Sequence, residues 1–529
     1  MPAIAGVATA LGVAEALLRE LRPSELNLDV EAAALPGLAD RVSGELGGRL
    51  VSLFATDERS STGRFVVHHL WSLPKERVFL HINAPVDPST PAFPSIAAKY
   101  PAANWFEREI MDFFGLTPEG HPNLARVALH DDWPEGVWPL RKDFPDDRVV
   151  PRLPGEFHPF RPVTGEGVFQ VPVGPVHAGI IEPGHFRFGV AGEPILYLQL
   201  RLFYVHKGTE KRFERLPWRH GISLAESISG DTSVGHALAW SHAIERLTNV
   251  EPPPRARSLR VVMLELERVY NHIADIGGVA TDVAFTVAAS RAQGLREGLV
   301  RLLDEQFGTR LMRGVVAVGG VKRDLAPGGE DAVRRGLERF QKEFEDLIAL
   351  LTSAGSFTDR VDSTGVLTRQ AALDLGIVGM AARASGVDTD FRRDHPHDAY
   401  EGLRFDVPVE EGGDVRARLM VRAREVEQSL SIIRQVLDSM PARVEAPLAA
   451  PLPAQLPAHA SALGWVEAWR GPCTHWVATD DRGEISRVKI NDPSLQNWPG
   501  IIQAAPGNII PDFPVINKSF NFSYSGNDR

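Results

Sequence analysis

LRVVMLELERVYNHIADIGGVATDVAFTV, residues 259–287, is the stretch that decides the architecture. Leu266, Val269, Ile273 and Ile276 recur at helical spacing, and the pattern reads on to Leu303, so a long bundle helix is predicted over Leu259 to Leu303. Glu265, Arg268 and His272 fall at i, i+3 and i+7 on one face, next to Asn271, and predict an ion network that packs helices inside the bundle, with proton relay as the alternative use. Asp282 stands in an apolar run, Val279 to Phe285. A buried carboxylate without a partner is costly, so Asp282 is expected either to pair with a cationic group or to be kept protonated, with a histidine partner in preference to a bond with a helix terminus.

On either side of it, Ser227 to Asn249 carries Val234, Leu238, Ile244 and Leu247 at the same spacing, and Asp331 to Ser353 and Arg416 to Met440 predict a further helical pair. A Pro- and Ala-rich tether, Pro441 to Pro457, follows. The tail predicts two strands, Thr474 to Ala478 and Ile485 to Ile490, joined by a turn at Asp480 to Gly483. Upstream, two strand-like runs lie between Ile180 and Glu210. From Asp143 to Gly165 the prolines at 145, 151, 154, 159 and 162 remove backbone donors and bar a helix or central strand. In the first 150 residues an apolar-periodic helix is predicted from Ile4 to Leu21. Strands are predicted at Arg64 to Leu70 and Arg77 to Ile82, a turn-rich stretch from Pro85 to Pro94, and a helix from Trp105 to Phe114. The fold class is therefore α+β: a small α+β domain over 1–150, a Pro-rich linker over 151–170, and a mainly helical bundle with small β elements over 171–529.

The chain has 529 residues, 43% apolar and 24% charged, which fits more than one globular core. No run reaches eighteen uncharged apolar residues and the N-terminus lacks a leader's basic region, so any membrane contact is expected through partners and the chain is expected in the cytosol. A net charge of −11 without a basic block argues against nucleic acid. One cysteine, Cys473, forbids an internal disulfide or an all-cysteine cluster within the chain.

Three motifs in the first 150 residues, Glu107 to Gly115 (EREIMDFFG), Gly120 to Pro122 (GHP) and Pro139 to Pro145 (PLRKDFP), together resemble the 30-kilodalton peripheral-arm subunit of complex I. Four more, GPVHAGIIEPGHFRF at Gly174 to Phe188, YVHKGTEK at Tyr204 to Lys211, RASGVDTDFRR at Arg383 to Arg393 and RAREVEQSLSIIRQ at Arg422 to Gln435, resemble the 49-kilodalton subunit and the large subunit of group 4 nickel-iron hydrogenases. Fused in one chain, they are most similar to the large subunits of hydrogenase-3 and hydrogenase-4, over essentially the whole length.

The resemblance implies a position for each metal ligand. Those hydrogenases hold nickel and iron with two CxxC pairs; here the first pair's place carries Ser229 and Thr232 and the second's Ser523 and Gly526. A protonated, hard hydroxyl does not replace a thiolate on nickel, so no nickel-iron centre is expected. The chain also stops at Arg529, without the extension such hydrogenases remove after metal insertion. In complex I the corresponding cavity receives a quinone head group, and the resemblance assigns His185, with His177 as the other loop histidine, and Asp282 to it. The family's tyrosine falls at Gly230, which removes one of two proton donors.

What the resemblance implies for function is a subunit passing electrons from a [4Fe-4S] cluster in a small, complex I 20-kilodalton-like partner to a quinone-like acceptor. The chain itself would bind no cofactor. Ion movement would belong to membrane-embedded partners, and the chain would sit on the cytoplasmic face of the inner membrane. The rival is a non-redox coupling or scaffold subunit.

Other residues carry blander expectations. Glu107, Arg108, Glu109 and Asp112, with Arg141, Lys142 and Asp143, predict interdomain salt bridges, and His206, Lys207, Glu210 and Lys211 a helix-start network near a subunit interface. Ser229, Thr232 and Ser233 lack a GxSxG context, which leaves a hydrolase without support. Gly319-Gly320 does not make a GxGxxG, so nicotinamide binding belongs to another subunit. Cys473 is expected to be inert.

Overall fold

The computed structural model describes residues 2–145, 147–154, 165–178, 181–443 and 446–529. The N-terminal part is built on a five-stranded sheet in the order Leu18–Arg22, Glu25–Asp29, Val78–Val86, Arg64–Leu73, Arg49–Glu58. Its pairs are antiparallel except Glu25–Asp29 with Val78–Val86, which is parallel. The four strands from Glu25–Asp29 to Arg49–Glu58 are buried on both faces, while the edge strand Leu18–Arg22 is charged and largely exposed. Leu53, Val67, Leu80 and Ile82 join the main core. Val51, Phe54, Leu70 and Phe79 form a second core with Phe391, Leu463, Trp465 and Trp476 from the far end of the chain.

The predicted helix from Ile4 to Leu21 ends at Leu11. Gly12 takes φ +63, and Arg41 donates to the Leu11 carbonyl with an N–O distance of 2.6 Å, its guanidinium filling the place where a side chain at 12 would stand. The apolar residues that follow are drawn into the strand Leu18–Arg22, where pairing with Glu25–Asp29 overrides helix periodicity.

Between Glu119 and Val168 the described residues hold no helix or strand. A three-stranded antiparallel sheet then forms from Val168–Val173, His185–Ala191 and Ile195–Arg201; its first strand begins inside the segment read as linker. The stretch 259–303 is two helices rather than one, Pro254–Asp282 and Thr286–Phe307. Ala284 turns out of the helix at φ +61 and the Phe285 amide closes on the Ala280 carbonyl at 2.8 Å.

Pro254–Asp282 is buried along nearly its whole length and packs against Thr286–Phe307, Val415–Ser439, Phe513–Phe520 and Ser233–Thr248. A C-terminal antiparallel sheet, Ser461–Ala468, Gly471–Thr479 and Ile485–Asn491, lies on Ser233–Thr248. The approach is so close that a Cβ at Gly464 would fall 2.0 Å from the Ala239 carbonyl oxygen. The whole is α+β, a small sheet-based unit followed by a helical bundle with minor sheets, and no helix among the described residues is long and apolar enough to cross a membrane.

Candidate functional site

The turn before helix Ser233–Thr248 and the C-terminal segment after helix Phe513–Phe520 bring together the positions where the resemblance placed metal ligands. Ser229 Oγ lies 2.9 Å from Ser523 Oγ and donates to Asp231 Oδ1 at 2.7 Å. Thr232 Oγ1 donates to the same oxygen at 3.0 Å. Ser523 caps the last short helix by accepting from the Gly526 amide at 2.9 Å. The space a side chain at Gly526 would enter is taken: its Cβ would stand 2.6 Å from Asp492 Oδ2.

The charges around this point are not legible in the sequence. Arg470, in the turn between strands Ser461–Ala468 and Gly471–Thr479, forms a two-bonded pair with Asp231 at 2.8 and 2.6 Å and lies 3.8 Å over the Trp469 ring. Burial raises the Asp231 carboxyl, but Arg470 and the two hydroxyls win and hold it at about 2. Trp469 Nε1 donates to the Asp231 carbonyl and Thr232 Oγ1. Asp492 takes His236 Nε2 at 3.0 Å and the Ser494 amide at 2.8 Å. At its centre the site is thus a hydrogen-bonded ion pair fenced by hydroxyls. Only the Arg in AWRG, set at a hairpin turn facing SISGDTS, offers a signal that points to it.

The other assigned residues are placed as follows. His177 Nε2 is 2.7 Å from the Gly184 carbonyl oxygen. His185 opens the strand His185–Ala191, half-buried; burial and then the cations Arg187 and Arg201 hold its imidazole below the ordinary value, so it is neutral at pH 7. Gly230 is exposed, and a Cβ there would meet nothing within 4 Å. Asp282 corrects an expectation. It is the exposed last residue of helix Pro254–Asp282, and its charged neighbour is Lys518, not a histidine. The chain leaves the helix at that point, so the apolar text around Asp282 lines a helix end instead of a buried face.

Behind this site runs a second assembly. Glu265 accepts from Arg392 (3.1 Å), Arg268 (3.2 Å), Ser429 (2.5 Å) and Tyr400 (2.5 Å). Burial opposes its charge, but Arg268 and Arg392 hold it at about 2. Glu425 meets His272 and Arg383 at 2.7 Å each, and Arg383 reaches Glu467 at 2.9 Å. All these groups are buried, so the face of Glu265, Arg268 and His272 carries the ion network its spacing predicts. A third buried group joins the two ends of the chain. Glu109 pairs with Lys489 at 2.9 Å and with Arg529, and Glu210 pairs with Arg487 at 2.8 Å and with Arg529 at 3.3 Å. Glu210 therefore lies in the interior of this chain and not at the subunit interface expected of it. Of the N-terminal charges, Glu109 and Lys142 cross to the rest of the chain, Lys142 to Glu214 at 2.8 Å. Glu107, Arg108 and Asp112 instead tie down local backbone.

An N-terminal sheet unit fused to a helical bundle, with Ser229, Thr232, Ser523 and Gly526 meeting at one end, defines a subunit of a multisubunit redox complex of the complex I and hydrogenase class. Residues 28–149 match the family "Respiratory-chain NADH dehydrogenase, 30 Kd subunit" and residues 282–461 match "Respiratory-chain NADH dehydrogenase, 49 Kd subunit". The chain belongs to the family of fused 30- and 49-kilodalton-type subunits that includes formate hydrogenlyase and hydrogenase-4 large components. It is 34% identical to formate hydrogenlyase subunit 5 of Escherichia coli (strain K12), covering 96% of this chain and 89% of that one. It is 33% identical to hydrogenase-4 component G of the same organism, over 96% and 88%. With the fused C/D component of the NADH-quinone oxidoreductase of Methylococcus capsulatus it shares 30% identity over 91% of this chain and 90% of that protein. A chain of the membrane-bound sulfane sulfur reductase, an archaeal respiratory membrane complex, superposes with a TM-score of 0.65 at 28% identity, covering 69% of this chain and 99% of that one.

Proposed function

We propose that this member of a membrane-associated complex I-like oxidoreductase carries electrons from a [4Fe-4S] cluster in a small partner subunit to a quinone-like acceptor, without a nickel-iron centre, while membrane-embedded partners move ions. It would sit on the cytoplasmic face of the membrane. The observation that carries the reading is the Arg470–Asp231 pair within the hydroxyls of Ser229 and Thr232, with Ser523 against Ser229 and Asp492 in the place of a fourth side chain. Hard oxygen donors locked in a salt bridge do not fit a nickel-iron pair, which requires thiolates. A quinone fits the surroundings better. Gly230 leaves open room at the surface, and the neutral imidazole of His185 can exchange a proton with a ring oxygen. There His185 would hold the head group and Asp282 would act only from a distance.

The position of Asp282 favours a second reading, a non-redox coupling role, since the carboxylate that would orient His185 faces Lys518. The purified native complex separates the two. A cluster that is reducible by optical and magnetic-resonance criteria and re-oxidises on adding a quinone supports electron transfer. Absence of re-oxidation supports coupling alone, and unchanged re-oxidation in His185→Ala removes that residue from the site. Stoichiometric nickel in the complex would overturn both.

A further inference from the structure

His236, Cys473 and His475 take no part in the chemistry above, yet they converge. His236 projects from helix Ser233–Thr248. Cys473 and His475 stand two apart on strand Gly471–Thr479 and so share the face turned to that helix. All three are fully buried. His236 Nδ1 lies 3.1 Å from His475 Nε2 and 3.2 Å from Cys473 Sγ, and the three donor atoms fall within 4.8 Å of one another. Tetrahedral zinc, with bonds of about 2.0–2.1 Å to nitrogen and about 2.3 Å to sulfur, sets its ligand atoms about 3.3 Å (N to N) and about 3.6 Å (N to S) apart. The two pairs that include His236 thus stand within a few tenths of an ångström of what the ion requires.

The tautomer is set for this use. Asp492 engages His236 Nε2 at 3.0 Å, which keeps the proton on that nitrogen and turns the bare Nδ1 lone pair toward the other two residues. A carboxylate on the far nitrogen is the ordinary support of a metal-bound imidazole. Charge is also balanced. Cys473 is fully buried against the His236–Asp492 pair. A dication entering would convert it to thiolate and release that one proton to solvent, and dication, thiolate and the Asp492 carboxylate sum to zero.

We infer that His236, Cys473 and His475 form a binding site for a single zinc-class divalent ion that pins helix Ser233–Thr248 to strand Gly471–Thr479, with water as the fourth ligand. Two imidazoles and a thiolate select zinc or cobalt over magnesium or calcium. The site is separate from the four candidate ligand positions, one carboxylate behind Gly526.

The test is zinc X-ray absorption and elemental analysis on the full chain after incubation with zinc and dialysis. The expected result is one zinc per chain in a shell of one sulfur and two imidazoles. Cobalt in its place should give a thiolate-to-metal band that disappears in Cys473→Ser, which also loses the zinc. No bound zinc, a shell with only nitrogen and oxygen, or zinc retained at full stoichiometry by Cys473→Ser would overturn the site. The wild-type spectrum decides even where the variant fails to fold.

Discussion

Ser229 and Ser523, 294 residues apart in the chain, face each other with their hydroxyl oxygens 2.9 Å apart, so the two ends of the bundle domain close on one point. Sulfur atoms in these places would be near bonding distance. The double variant Ser229→Cys/Ser523→Cys is expected to form an internal disulfide under mild oxidant, since hydroxyls in contact bring the Cβ atoms close to the separation of about 3.5–4.5 Å that a disulfide needs. Thiol titration and intact mass measure it. Three free thiols, with Cys473 as the third, would show that the two positions do not meet.

Arg383 neutralises Glu425 and Glu467 in the interior. Arg383→Met leaves both carboxylates short of a cation, and the expected loss is about 3–5 kcal/mol of unfolding free energy. Urea unfolding of the two proteins gives the difference. A loss under about 1 kcal/mol would mean that Arg268, 3.7 Å from Glu425, takes over.

Glu267 brings a pH dependence. Burial pushes its carboxyl up to about 8, against the Val234 and Gly235 amides that bond to it. An unfolded glutamate ionises near about 4.3. Between those values the folded state holds one proton more, so stability falls as pH rises through the window, by up to about 1.4 kcal/mol per unit, and levels off above it. Glu267→Gln is expected to flatten that slope in denaturation series from pH 5 to 8. Parallel curves for the two proteins would rule the assignment out.

Lys489 crosses from the C-terminal sheet to Glu109 on helix Asn104–Phe114. Lys489→Met is expected to speed amide hydrogen exchange in that helix at least tenfold while leaving helix Pro254–Asp282 unchanged. Equal protection in both would show that apolar packing alone docks the N-terminal part.

What the sequence makes legible follows from range. The helices Asn104–Phe114, Ser233–Thr248 and Val415–Ser439 are readable because an apolar stripe repeats locally, and the face of Glu265, Arg268 and His272 is readable from spacing alone. Helix ends are not. The breaks at Gly12 and Ala284 depend on Arg41 and on a left-handed residue that periodicity does not register. The candidate ligand positions can be located by motif, and Asp231 lies among them, but Arg470 and Asp492 reach them from turns far apart in sequence. Cys473 reads as an inert thiol, which its burial supports, while the approach of His236, 237 residues away, is not legible. The C-x-H alternation of Cys473 and His475 on a strand is the available signal.

One three-stranded sheet touches every assembly. Ser461–Ala468 brings Glu467 to the ion network, the turn after it brings Arg470, Gly471–Thr479 brings Cys473 and His475, and Ile485–Asn491 brings Arg487 and Lys489 to the junction with the N-terminal unit. Neighbouring residues on a strand point in opposite directions, so slipping one strand by a single step would turn that strand's contacts outward. The alignment of three short strands thus fixes where all of these side chains stand.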